Sequence, residues 1–183
     1  MAGLVAAPAF ARHSRARLPL LVLAARDVPA SFKQEGRGLL DDARASVTPP
    51  ITQIADEHKW GRLTGYTIAF RKRSLSVGIV ATIRGSVSVY GTTQGARAAL
   101  AARDVCNGGG LALRRVAFSG LPGGAVACSG VTPMHAGEFQ TYVVCWQQDT
   151  LVGSVIALGQ RGAVTTHQLV ALARAQDSRM AHR

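Results

Sequence analysis

Between residues 63 and 158 the chain carries six short runs dense in β-branched and aromatic side chains, most of them separated by links of hairpin length. They are Leu63–Arg71, Val77–Tyr90, Leu111–Phe118, Ala125–Thr132, Thr141–Gln147 and Leu151–Leu158. Strand side chains alternate between two faces, so Ser86-Val87-Ser88-Val89-Tyr90 reads as a strand with one face buried. Short links between successive strands impose antiparallel pairing, because a parallel neighbour needs a long crossover. Gly85 reads as a bulge in the longest run, Lys72–Leu75 as a charged turn before it, and Gln147–Thr150 as a tight hairpin.

The one long link after Tyr90 reads as a helix. Thr92 and Thr93 supply caps, and QGARAALAARDV carries small residues spaced for one packed face. Thr165 or Thr166 caps a final helix with Leu169, Leu172, Ala173, Gln176 and Met180 along one side. Upstream, Asp41–Ala45 reads as one helical turn, and Pro49-Pro50 opens a short helix, Ile51–Trp60, that Gly61 ends. Residues 26–36 read as extended, with Pro29 and Gly36 blocking regular structure. The fold class is therefore α+β: an antiparallel sheet of about five to six strands packed with helices.

A chain of 183 residues with 48% hydrophobic and 17% charged content buries enough apolar surface for one core. We expect residues 21–183 to form one α+β domain, preceded by a signal-peptide remnant or a disordered basic arm over 1–20. The longest apolar stretch, Leu18–Ala25, falls short of the ~20 residues that cross a bilayer. The opening MAGLVAAPAFA ends in Ala9-Phe10-Ala11, the small-x-small spacing that signal peptidases accept. Two arrangements fit: the tail of a signal peptide, or a signal with Arg12–Arg17 as its basic region and Leu18–Ala25 as its apolar region. Both imply an extracytoplasmic setting; a disordered arm on a cytoplasmic protein is the alternative.

The net charge of +11 raises nucleic acid as a partner. Lys33, Lys59 and Lys72 are the only lysines, and the arginine excess matches the bias of a GC-rich coding sequence. The basic residues are scattered, with clusters only at Arg12, Arg15, Arg17 and at Arg71-Lys72-Arg73. A solvated arm and a solvated turn account for both.

The three cysteines, Cys106, Cys128 and Cys145, lack the CxxC spacing of metal sites. A hairpin of residues 124–133 and 139–147 sets Cys128 opposite Cys145, within reach of a disulfide; two small buried apolar residues are the equal alternative. Of the histidines, His13, His58, His135, His167 and His182, no two fall at metal-binding helical spacing. Asp41, Asp42, Asp56 and Glu57 sit where helix caps suffice, and Gly108-Gly109-Gly110 lacks the context of a phosphate-binding loop. No catalytic residue, cofactor or metal site is selected. Trp60, Tyr66, Tyr90, Tyr142 and Trp146 read as core residues first and as a ligand or partner surface second, with Arg62 a candidate for a buried or interfacial ion pair.

Several stretches carry a family resemblance. LVLAARDVPASF (residues 21–32), Trp60-Gly61-Arg62-Leu63-Thr64-Gly65-Tyr66, SVSVYGTTQGA (86–96), Tyr142–Trp146 and Arg174-Ala-Gln-x-x-Arg179 resemble small exported bacterial domains of the LpqN and PsbP-like kind. They also resemble the extracytoplasmic sensor domains of actinobacterial receptor kinases. The resemblance covers residues 21–180 and implies an α/β sandwich outside the cytoplasm rather than a reaction; the acylated cysteine of the lipoprotein versions has no counterpart here. The expectation is an exported accessory or binding domain without catalytic activity, engaging a protein, lipid or envelope ligand. The alternatives are a cytoplasmic nucleic-acid-binding domain using Arg71–Arg73 and the C-terminal arginines, or an enzyme whose site is assembled in space.

Overall fold

The computed structural model describes residues 15–40, 58–74, 78–102, 105–106, 113–134 and 137–182. Seven strands form one sheet: β1 (Lys33–Leu39), β2 (Arg62–Ser74), β3 (Gly78–Tyr90), β4 (Arg114–Val116), β5 (Val126–Met134), β6 (Gly137–Gln148) and β7 (Leu151–Gln160). Helix α1 (Thr93–Ala102) follows β3, α2 (Thr166–Ala181) follows β7, and two short 3-10 turns, Leu18–Leu20 and Ala25–Asp27, precede the sheet. The expected turn over Asp41–Ala45, most of the Ile51–Trp60 helix, Gly108–Gly110, His13, His135 and the first fourteen residues lie outside the described residues.

Strand order is β1-β2-β3-β7-β6-β5-β4, and every neighbouring pair is antiparallel. Two meanders are thus sewn together along β3 and β7. The crossover from β3 through α1 carries the chain to the far edge, from which β4 to β7 return. The seventh strand, absent from the expectation of five to six, is β1. It is an edge strand whose side chains are nearly all exposed, so it has no apolar alternation, and Gly36 sits at a register shift in its ladder rather than ending it. The β2–β3 ladder also runs beyond the expected turn, through Lys72↔Ala81 to Ser74↔Gly78.

Opposed residues of an antiparallel pair share a face, which separates the two sides of the sheet. One side, carrying Phe70, Ile83, Val87, Val144, Trp146 and Val155, packs against Leu169, Leu172 and Met180 of α2 and against Leu18, Val22 and Leu23. Burial of each large side chain contributes about 1.5–3 kcal/mol. All five residues expected along one side of α2 are buried. Its cap is reciprocal: the Thr165 hydroxyl accepts from the Gln168 amide at 3.2 Å, and Gln168 Oε1 accepts from the Thr165 amide at 2.9 Å.

Leu18, Leu21, Val22 and Leu23 are buried in the core, whereas Leu20 is exposed. Gly85 is no bulge. It keeps regular register on both sides, and a Cβ there would lie 2.6 Å from Gln176 Oε1 and 2.9 Å from Leu23 Cγ. The missing side chain is what lets Gln176 enter the core, where its Nε2 donates to the Ser86 carbonyl at 2.7 Å.

Candidate functional site

The other side of the sheet carries α1. Ala96 and Ala99 pack on Tyr90 and Val152, with Trp60 and Leu100 against them. The first turn of α1 is fixed by Thr92, whose Oγ1 accepts from the Gly95 amide at 2.9 Å, and by the β6–β7 hairpin. In that hairpin Asp149 takes a φ of 53° and accepts from Thr93 Oγ1 at 2.7 Å, while Gln147 Nε2 donates to the Thr93 carbonyl at 3.0 Å. The helix is therefore held at a set height over β6.

Beyond its packed side, α1 turns Arg97, Leu100 and Ala101 toward the β4–β5 edge; their i, i+3, i+4 spacing lines one flank of the helix. Across from them stand Arg115 on β4 and the turn Gly123-Gly124, with Val126 and Gln147 between the walls. Gly124 has a φ of 69°, a backbone state that glycine adopts without strain. The residues enclose an open hollow of about 350 Å³. Among the described residues, no carboxylate lines it, and neither the Arg97 nor the Arg115 side chain makes an ion pair or hydrogen bond.

A disulfide stands beside the hollow and corrects the expected pairing. Cys106, just past α1, is bonded to Cys128 of β5, with Cα atoms 5.3 Å apart. The β5–β6 register sets Cys128 opposite Val143 and Cys145 opposite Val126, so Cys128 and Cys145 are diagonal rather than opposed. Cys145 is buried and takes no part in the bridge. Arg115 is the ladder partner of Cys128, so the bridge ties the exit of α1 to the strand pair that carries the opposite wall.

The residues singled out from the sequence do not converge on one surface. Tyr66, Tyr142 and Trp146 lie on the α2 side, and Trp60, Arg62 and Tyr90 on the α1 side. Tyr66, Tyr90 and Trp146 are buried in the core. Tyr142 is half-buried against Phe118, ring centroids 6.1 Å apart. Arg62 is 6% exposed and donates to the Leu40 carbonyl at 2.6 Å and to Ser88 Oγ at 3.3 Å. Arg97, Arg115 and Gln147 were missed because they are far apart in sequence and carry no motif.

Among the described residues, Arg71, Arg73, Arg174 and Arg179 of the nucleic-acid alternative have partners within the chain. Arg71 and Arg73 both bond Glu35 Oε1, at 2.5 and 2.8 Å. Arg174 donates to the Gly120 carbonyl, and Arg179 grips Asp27. Among the described residues, no three His, Cys, Asp or Glu side chains gather as a metal site would require.

The architecture defines an α+β domain in which one antiparallel sheet carries helices on both faces. The extracellular domain of PknH from Mycobacterium tuberculosis has this fold: the two superpose with a TM-score of 0.59 over 92% of this chain and 95% of that one, at 13% sequence identity. The likeness to a receptor-kinase sensor domain inferred from the sequence is thus met in the fold. No known family pattern and no curated protein matches the chain.

Proposed function

We propose that the chain is an extracytoplasmic accessory or binding domain without catalytic activity, related to the LpqN and PsbP-like sandwiches, which holds its ligand between α1 and the β4–β5 edge. The observation that carries this reading is the hollow itself: a concave, glycine-rimmed site with two arginines and a glutamine on walls braced by a disulfide. The bridge fits an oxidising compartment, and a fold shared with an extracellular domain fits the same setting. A thermal-shift screen of envelope-derived small molecules, with each hit checked for turnover, tests it. Stabilisation without turnover, lost when Gln147→Ala or Leu100→Asp alters the hollow, is the expected result. Turnover of a hit, or stabilisation indifferent to both variants, overturns it.

A further inference from the structure

We infer that the hollow between α1 and β4–β5 is an anion site, in which Arg97 and Arg115 hold a phosphate group while Leu100, Ala101 and Val126 face a short apolar body. The inference rests on the binding reading above and gives its ligand a chemistry.

Three observations carry it. First, the two arginines come from separate elements and border one hollow, with no acidic residue among the described residues of its lining. Like charges around a concave surface raise the local potential, and a bound anion relieves it. Second, several arginines on this fold are tied to groups of the chain itself: Arg71 and Arg73 to Glu35, Arg161 to Glu138, Arg179 to Asp27 and Arg174 to a carbonyl. Arg97 and Arg115 have no such partner among the described residues. Third, arginine offers a planar fork that matches phosphate oxygens in pairs, and two forks suit a dianion. The volume of about 350 Å³ is enough for a phosphorylated small molecule or a single lipid headgroup.

The test titrates the full chain, by calorimetry and by amide chemical shifts, with glycerol 3-phosphate, with uncharged glycerol, and with vesicles containing phosphatidic acid. The proteins are the unaltered chain, Arg97→Gln, Arg115→Gln and Arg84→Gln. Arg84 is exposed on the same side of the sheet but does not line the hollow, so its loss changes net charge alone. Expected are shifts centred on residues 97–101, 115 and 123–126, a roughly tenfold loss of affinity for each cleft arginine, and little change for Arg84→Gln. Binding of the soluble phosphate and binding of the vesicle alone both support the site and separate its two sources. An equal loss for Arg84→Gln, or no binding of either phosphate, overturns the anion inference. Glycerol or another neutral compound bound in the hollow and indifferent to the arginine variants would leave the binding reading intact while removing this one.

Discussion

Arg179, in the last turns of α2, closes on Asp27, 152 positions earlier in the chain, through three hydrogen bonds of 2.8, 2.8 and 3.2 Å. The Asp27 side chain is 9% exposed and also accepts from the Ala24 amide at 2.6 Å, so this carboxylate organises the turn that leads into the core. Arg179→Ala leaves a largely buried carboxylate without its counter-charge. The expected cost is about 2–4 kcal/mol, read as a lower urea midpoint with unchanged slope. Arg179→Lys should recover only part of it, because an ammonium cannot reproduce the two-pronged contact.

The Cys106–Cys128 bridge closes a loop of sequence separation 22. Loop-closure entropy sets the loss on Cys106→Ala at about 3 kcal/mol. Alkylation of the denatured, unreduced chain followed by peptide mapping should label Cys145 alone, and labelled Cys106 would show the other pairing. Reduction should also weaken any ligand of the hollow, since it frees the exit of α1 from β5.

Gly153 sits where Trp146 and Met180 meet: a Cβ there would lie 2.7 Å from Met180 Sδ and 2.7 Å from Trp146 Cζ2. The methionine can move aside, but the buried indole cannot. Gly153→Ala should destabilise by about 1–3 kcal/mol and shift the emission of Trp146, read by fluorescence during urea unfolding.

Because Glu35 holds both Arg71 and Arg73, the basic run should be a poor phosphate binder despite its charge. Duplex DNA should show no measurable binding at about 0.15 M salt. Glu35→Gln frees both guanidiniums and should raise affinity at low salt, with a steeper salt dependence. Tight, salt-sensitive binding by the unaltered chain would restore the nucleic-acid reading.

What the sequence disclosed follows from which residues are buried. Strands β2, β3, β6 and β7 are dense in buried apolar and β-branched residues and helix α2 has one apolar side, and these runs and the 3.6-residue spacing are visible without coordinates. Strand β1 buries almost nothing, so hydrogen bonds to β2 alone define it and no pattern announces it. The cysteine pairing failed on register: a two-residue offset turns opposed residues into diagonal ones, and only the turn geometry sets that offset. The hollow was the least legible feature. Arg97, Arg115 and Gln147 meet only because the β3–α1–β4 crossover reaches the far edge of the sheet, and none of them differs locally from an ordinary surface residue.

The first turns of the fold and its last helix lie together on the back of the sheet, clasped by Asp27 and Arg179, whereas α1 and the hollow occupy the front.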